Sequence, residues 1–376
     1  MKVSMVFLLG CCLGGCEAES DADAGMPLDA SVVADAALEG DVALDGDAAL
    51  DGDAALEGDA ALDGDATLDG DAMVAADATL EVDAAAEPTC EPERSPRELD
   101  IQTVMVDGRR VLFVRPDGPL NGVLFAIHGT RGDARVYFDR IEAALFVEDA
   151  LARGLLVVSP ESADRSEEAV WDVSDAPDNP DVPHIAAVLA RLHETGIPEG
   201  TPIYLVGGSN GGNFVARLAQ SLDVVAMHIF ISIAHPLRDA DATRPPTIFM
   251  RAEHDSVVMD AAAQINQTFR IVRMAGVRSE LLDNRLAPLT VSRFTRIPNI
   301  DCALSTAIYQ ALRAHPGVLD EAGQPVEGWE TSGWRAALPA AAAPFAPEIK
   351  DQLSELWADH VPSSDFNQQV LDFLLE

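Results

Sequence analysis

Residues 205–214 read LVGGSNGGNF and place one serine, Ser209, inside a Gly-x-Ser-x-Gly pattern. An apolar run precedes the pattern and a helix-forming run follows it. A chain that turns directly from a strand into a helix forces the residue at the turn into a strained backbone conformation. Gly207 and Gly211 would remove side chains that collide with neighbouring backbone there. The pattern therefore predicts a nucleophilic serine at the carboxyl end of a buried strand.

A phosphate-binding loop and a purely structural turn are the two other interpretations of these glycines. A phosphate-binding loop of the Gly-x-x-x-x-Gly-Lys type needs a lysine after its glycines. No lysine follows here. The strand before the serine and the helix after it favour the nucleophile.

A serine hydroxyl attacks at neutral pH only with a base beside it and a third group to orient that base. Asp255 follows the apolar run TIFM, in a loop that can face the serine, and Glu253 is the alternative acid. His360 lies in a loop just before the last amphipathic helix, where the order Ser, Asp, His puts the base. His315 is the alternative base.

Acyl transfer also needs N–H donors for the negative charge that develops on the substrate oxygen. The backbone N–H of Asn210 should supply one, because this residue begins the helix after the serine. The backbone N–H of Thr130, in HGTRGD after the first buried strand, should supply the second. His128 ends that strand and is predicted to be a structural or wall residue. His228, inside another strand, is predicted to be a core residue.

Outside residues 283–358, strand and helix patterns alternate along residues 98–376, which indicates βαβ units and a mostly parallel sheet. Asp107-Gly108 joins two β-rich runs and predicts an antiparallel hairpin at one edge. The fold class is thus α/β, with helices on both faces of the sheet. Residues 283–358 show no such pattern and are predicted to be an insertion. Predicted buried strands cover 122–129, 155–160, 202–209, 224–234 and 245–255; predicted helices cover 134–154, 181–196, 210–222, 259–276 and 363–376.

Residues 98–376 resemble an α/β-hydrolase. HGTRGDA, VVSPES, VWDVSDAPDNPDVPHIAAVLARL and YLVGGSNGGNFVARLA are similar, in order and spacing, to secreted esterases related to polyhydroxybutyrate depolymerases and feruloyl esterases. The resemblance implies a serine esterase acting on small-molecule or polymeric esters, without cofactor or metal ion. Two features depart from the family. Ala252 stands where a glycine usually precedes the acid, and the gap from Asp255 to His360 is long.

Two other functions fit the same residues. GGSNGG also resembles the serine motif of prolyl-oligopeptidase-type peptidases, which carry a propeller or other domain that this sequence lacks. A surface binding module could keep the fold without the activity. A serine-directed fluorophosphonate separates the enzymes from the binding module, and ester against amide substrates separates the two enzymes.

The first 16 residues, MKVSMVFLLGCCLGGC, read as a secretory signal, because their apolar run is too short to span a bilayer permanently. LGGC resembles a bacterial lipoprotein signal and predicts lipid attachment at Cys16. Cys11, which ends LLGC, is a competing site. An ordinary signal peptide and an uncleaved N-terminus are the alternatives. The signal predicts a protein of the bacterial cell envelope or a secreted protein, anchored to the membrane by lipid outside the cytoplasm.

Residues 17–89 hold 22 of the 63 acids in the chain and no lysine or arginine. A hexapeptide of the type ALDGDA repeats six times between Ala37 and Ala72. One leucine in six residues buries too little surface to offset the cost of ordering, so this segment is predicted to be a disordered tether. A short left-handed β-helix and a weak Ca²⁺-collecting segment are the alternatives.

The formal net charge of −38 overstates the acidity of the folded part, because residues 17–89 contribute −22 of it. Residues 90–376 hold 41 acids against 24 bases, and this acidic balance argues against a nucleic-acid partner. Residues 90–376 form the hydrolase domain and contain two cysteines, Cys90 and Cys302. Two cysteines that remain in an oxidising compartment often pair, so they are a candidate disulfide, with two separate thiols as the alternative.

Overall fold

The computed structural model describes residues 89–239, 241–258 and 260–376. The predicted signal at 1–16, with Cys11 and Cys16, lies outside the described residues, as does the acidic segment up to residue 88. The described part of the chain is built on one sheet.

Eight strands form this sheet in the order β1-β2-β4-β3-β5-β6-β7-β8. β2 runs antiparallel to both of its neighbours, and every other adjacent pair is parallel. The mostly parallel sheet with an antiparallel edge is the predicted one. The strands are β1 (Gln102–Val106), β2 (Arg109–Val114), β3 (Gly122–Ile127), β4 (Leu155–Pro160), β5 (Ile203–Gly208), β6 (Ala226–Phe230), β7 (Thr247–Ala252) and β8 (Ser279–Asn284).

The predicted hairpin joins β1 to β2 through a two-residue turn, with Val106 opposite Arg109. Asp107 has φ 50° and Gly108 has φ 76°. Positive φ at both central residues is the signature of a type I′ turn, whose twist matches that of the strands. The Asp-Gly pair thus sets the register of this edge of the sheet.

Helices cover both faces of the sheet, as predicted, but the helix predicted over 134–154 is in fact two. The chain breaks at Arg140, which is extended (φ −84°, ψ 130°) and pairs with Asp351 in the insertion. No helix of the described residues is long and apolar enough to cross a membrane. The helices are α1 (Val136–Asp139), α2 (Ile141–Ala152), α3 (Asp181–Glu194), α4 (Asn210–Leu218), α5 (Ala261–Met274), α6 (Cys302–Ala314), α7 (Ala346–Leu356) and α8 (Asn367–Leu375).

Two hydrophobic clusters sandwich the sheet. One packs the strands against α3, α4 and α5, with Ile185, Phe214 and Ile265 at its centre. The other packs them against α2 and α8, with Phe146 and Leu371. Apolar burial on both faces explains why the central strands are continuous apolar runs in the sequence.

The insertion has a hydrophobic cluster of its own, which includes the buried Trp329 and Trp334. Ile141 and Leu145 of α2 complete this cluster, so the insertion packs onto the helix that covers one face of the sheet. The insertion was predicted to begin at residue 283, but β8 continues to Asn284. The insertion therefore begins slightly later than predicted. Besides α6 and α7, the segment contains short 3₁₀ helices at Arg293–Arg296, Trp329–Thr331, Trp334–Ala337 and Ala340–Phe345. Such short helices lack the 3.6-residue periodicity that sequence analysis relies on.

A disulfide joins Cys90 to Cys302 at the start of α6, with 5.6 Å between their Cα atoms. Nearby, the backbone N–H of Glu93 donates to Thr295 Oγ1 at 2.8 Å, and Arg296 Nε donates to the Glu93 carboxylate at 2.6 Å. The segment before β1 is therefore fixed covalently and electrostatically to the insertion.

We expect Cys302→Ser to lower the melting temperature, because the bond constrains a loop of 212 residues in the unfolded chain. Chain entropy gives an upper limit of about 5 kcal/mol for such a loop. Thermal unfolding by circular dichroism measures the loss. The double variant Cys90→Ser/Cys302→Ser should lose no more than the single one, and an unchanged melting temperature in both would contradict the structural role of the bond.

Candidate active site

This chain has the α/β-hydrolase fold: β2 is its antiparallel strand, and β5 turns at once into α4. In open α/β sheets the functional groups gather beyond the carboxyl ends of the strands. The residues that follow β3, β5 and β7 are therefore candidates for the functional site.

Ser209 is the single residue between β5 and α4, and its backbone is strained at φ 54° and ψ −127°. L-residues rarely adopt this conformation, and it persists only where the surroundings enforce it. A Cβ on Gly207 would lie 2.5 Å from the Gly211 carbonyl oxygen. A Cβ on Gly211 would lie 2.4 Å from the carbonyl oxygens of Ile127 and His128. The two glycines are thus required by close backbone packing, as the sequence indicates.

Asp255 and His360 form a buried pair. The Nδ1–H of His360 donates to Asp255, with both carboxylate oxygens at 2.9 Å. The side chain of Asp255 is 2% exposed and that of His360 is 12% exposed. Because a carboxylate only accepts hydrogen bonds, this contact places the ring proton on Nδ1 and leaves Nε2 as the acceptor.

The carboxyl group of Asp255 is held in its charged form. Burial acts to raise its pKa, but the hydrogen bond and charge of His360 and the backbone N–H groups of Val257 and Val258 outweigh burial. The pKa of Asp255 therefore lies below its usual value. A permanent negative charge beside Nδ1 is what a base needs when it takes up a proton at Nε2.

Ser209 and His360 line one cavity of about 420 Å³. Within the described residues they form no hydrogen bond with each other, and Nε2 of His360 is buried without a partner. Hydrogen bonds between catalytic groups are often long without substrate and shorten when it binds. The structure thus brings together the predicted serine, acid and base, but not in direct contact between serine and base.

The two predicted oxyanion donors differ in their surroundings. Thr130 lines the cavity, and the next N–H, that of Arg131, donates to the Glu168 carbonyl at 2.6 Å and so fixes this loop. Asn210 begins α4, and its side chain binds the backbone of Trp171. Among the described residues, neither the Thr130 nor the Asn210 backbone N–H has a protein acceptor. Of the two residues, Thr130 lines the cavity, and Asn210 directly follows Ser209, which also lines it.

His128, predicted to be a structural or wall residue, lines the cavity. Its Nδ1–H donates to the Gly129 carbonyl at 2.8 Å, and its Nε2 faces the Ser162 N–H at 3.4 Å. Burial lowers the pKa of His128, so the ring is neutral. Trp171 Nε1 donates to the His128 carbonyl at 2.9 Å and stacks on Phe214. With both nitrogens engaged, this histidine is no candidate base.

The alternative acid and base lie in other surroundings. Glu253 is exposed, and its carboxylate accepts from the Leu286 N–H at 3.0 Å. His315 lies in the insertion, where its Nε2 faces the Ser332 carbonyl at 2.9 Å. Neither residue lines the cavity that contains Ser209.

Contacts that sequence reasoning missed join the loop of the acid to the loop of the base. The His254 ring stacks on Trp357 with 3.8 Å between centroids. The backbone N–H of His254 donates to the Ala358 carbonyl at 2.9 Å. Ser256 Oγ donates to Asp359 at 2.9 Å. The only sequence signal for these contacts is that each residue is a near neighbour of Asp255 or His360.

The long gap between acid and base has a simple explanation. The Ala287 N–H donates to the Leu356 carbonyl at 2.9 Å, so the insertion closes at its base, next to the point where it leaves β8. Its length consequently does not displace His360 from the acid. Ala252 ends β7 and is buried in the apolar cluster on the α2 face, where its methyl group is accommodated.

Neither the family models nor the curated proteins that were searched contain a match to this chain. Solved structures similar to it include an esterase from Pyrobaculum calidifontis, 16% identical over 50% of this chain and 76% of that chain, with a TM-score of 0.38. A thermostable esterase from Pseudomonas putida ECU1011 is 17% identical over 52% and 75%, with a TM-score of 0.38. An esterase/lipase from an uncultured bacterium is 14% identical over 51% and 77%, with a TM-score of 0.36. At these values the assignment of the fold depends on the sheet order and the turn at Ser209.

We expect Gly211→Ala to lower kcat/KM for an ester substrate by about 100-fold, since displacing the turn by about 1 Å misplaces the serine. The added methyl group would meet two backbone oxygens that cannot move independently. Steady-state hydrolysis assays and circular dichroism measure the effect. Gly118→Ala is the matched control, because a Cβ there meets no atom within 4 Å. Equal activity in the two variants would show that the close packing around Gly211 is not needed.

Proposed function

We propose that this protein is a serine hydrolase that cleaves carboxylic esters through an acyl-enzyme intermediate. The observation that carries the proposal is the buried His360–Asp255 pair, which opens on the same cavity as the strained Ser209. A strained nucleophile, an oriented base and a buried acid together are what acyl transfer requires.

In the proposed mechanism Ser209 Oγ attacks the ester carbonyl while Nε2 of His360 takes its proton. Asp255 stays ionised and stabilises the imidazolium that forms. The backbone N–H groups of Thr130 and Asn210 bind the oxyanion. His360 then returns the proton to the leaving alcohol, and a water molecule, activated in the same way, releases the acid from Ser209.

The cavity favours a small-molecule ester or the end of a longer one, because its volume is near the lower end of the range for ligand pockets. The lining mixes apolar side chains with polar and charged ones. An ester with one apolar and one polar part matches this mixed lining. The apolar side chains include Val136, Tyr137, Ile141, Ala143, Phe230 and Ile231, and the polar or charged ones include Arg140, Glu142, Lys350, Asp351, Gln352 and Ser354.

We also propose that the enzyme works outside the cytoplasm, anchored by lipid at Cys16. The disulfide between Cys90 and Cys302 supports an oxidising compartment, since such bonds are rare in the cytosol of mesophiles. The signal-like residues 1–16 support the anchor.

Ser209→Ala and His360→Ala should each lower kcat by roughly 10⁴- to 10⁶-fold, with no further loss in the double variant, because the two residues act as a unit. Asp255→Asn should cost somewhat less. Hydrolysis of short-chain p-nitrophenyl esters measures these effects, and matched p-nitroanilides test the peptidase alternative.

His315→Ala is the matched control, since this histidine lies away from the cavity and should be dispensable. Loss of activity in His315→Ala with activity retained in His360→Ala would overturn the choice of base. Faster cleavage of the anilides than of the esters would overturn the choice of substrate class.

A further inference from the structure

One buried carboxylate, that of Glu142 in the first turn of α2, connects this helix to the loop that carries His360. Its side chain is 7% exposed. It accepts from the Ser364 backbone N–H at 3.0 Å, from Ser364 Oγ and from Gln352 Nε2 at 2.9 Å. Arg296 Nη1 donates to it at 3.0 Å. Few single side chains gather donors from so many separate elements.

The charge of this carboxylate is well compensated. Burial acts to raise the pKa of Glu142, but Arg293 and Arg296, with the bonds from Ser364 and Gln352, outweigh burial and hold the pKa below its usual value. Glu142 is therefore ionised at neutral pH. An ionised acceptor forms stronger hydrogen bonds than a neutral one, so the hydrogen bonds from Ser364 to Glu142 are strong.

The neighbours of Ser364 are held by the same cluster. Ser363 Oγ donates to Glu355, and Arg296 Nη2 donates to Asp365 at 2.8 Å. Oxygen atoms of Glu142, Glu355 and Asp365 lie within 4.8 Å of one another, a spacing that could suit a metal ion. Arg293 and Arg296 already bind these three acids. Burial raises the pKa of Glu355 to about 7, which reduces its negative charge at neutral pH. The cluster therefore fits a set of ion pairs and not a metal site.

The same loop has a second anchor on the other side of His360. Asp359 accepts from Ser256 Oγ at 2.9 Å and from the His360 N–H at 2.8 Å. His360 therefore lies between two anchored residues. Asp359 is hydrogen-bonded to Ser256 in the loop of Asp255, and Ser364 is hydrogen-bonded to Glu142. Because Nε2 of His360 must approach Ser209 when substrate binds, the two anchors determine how closely and at what angle it can do so.

We propose that Glu142 is a positioning residue for His360: it holds the loop after the base so that the imidazole faces Ser209. The inference rests on the proposed function, and it assigns a role to a carboxylate that lines the cavity without contacting His360. The role depends on the charge and the hydrogen bonds of Glu142 rather than on its packing, because Ser364 contacts the carboxylate of Glu142.

The direct test is Glu142→Gln, which keeps the volume of the side chain and removes its charge and one acceptor oxygen. We expect kcat for a p-nitrophenyl ester to fall about 10- to 100-fold, as for a misplacement of up to about 1 Å, while KM changes less than about threefold. Glu148→Gln makes the same substitution on the same helix, away from the cavity, and should leave both constants unchanged.

A second measurement reports on the base itself. In the proton NMR spectrum, the Nδ1–H of His360 bonded to Asp255 should resonate far downfield, and Asp255→Asn identifies the signal. We expect this resonance to shift or broaden in Glu142→Gln and to remain in Glu148→Gln. If the wild-type protein hydrolyses no ester, the proposed function fails, but the resonance still tests the positioning.

Ser364→Ala provides the test if Glu142→Gln does not fold. It removes one donor to Glu142 and leaves both arginine pairs intact, so the domain should keep its melting temperature. We expect kcat to fall by a few-fold and the resonance to shift. The proposal would be overturned if kcat and the resonance were both unchanged in folded Glu142→Gln. If Glu142→Gln does not fold, the same result in Ser364→Ala would overturn it. The cluster would then have a purely structural role.

Discussion

The hydrogen bond between His360 and Asp255 is the interaction on which the rest of the site depends, because it joins residues 105 positions apart. α5, β8 and the whole insertion lie between them in the chain. The base can reach the acid only if the insertion folds and returns to the place where it left the sheet. The bond between Ala287 and Leu356 closes that loop. Correct folding of the insertion is therefore a condition for an assembled site.

Residues outside the insertion also hold it in place. The disulfide and the contacts of Glu93 attach the segment before β1 to the insertion. Arg296, which binds Glu93, also binds Glu142 in the buried cluster of ion pairs. Breaking one partner of a buried pair leaves an uncompensated charge and costs about 3–5 kcal/mol, whereas the intact pair contributes little net stability. This balance agrees with the proposed role of the cluster, which is to fix one arrangement of the insertion and the His360 loop.

Local signals in the sequence predict the sheet and the turn at Ser209 well. Apolar runs predict the central strands, Asp107-Gly108 predicts the hairpin, and the glycine spacing predicts the close packing around Ser209. These features depend on residues that are neighbours in sequence. Chain order alone does not separate Asp255 from Glu253 or His360 from His315. The apolar Val257 and Val258 after Asp255, and the position of His360 just before the last helix, are the local signals that favour this pair.

Features that depend on long-range contacts escape such analysis. The break between α1 and α2 occurs at Arg140, whose side chain pairs with Asp351 more than 200 residues away. Between α6 and α7 the insertion forms short 3₁₀ helices around Trp329 and Trp334, and these leave no regular period. Glu142 is one acid among many in the sequence, and only the folded chain brings Ser364, Gln352 and Arg296 to it.

The most direct test of the central claim, that Ser209 is an activated nucleophile, is intact-protein mass spectrometry after treatment with a fluorophosphonate, followed by peptide mapping. The account predicts a single adduct on the peptide that contains Ser209, formed rapidly in the wild-type protein and much more slowly in His360→Ala. Ser209→Ala should gain no adduct. An unmodified wild-type protein, or an adduct on a different residue, would contradict the account.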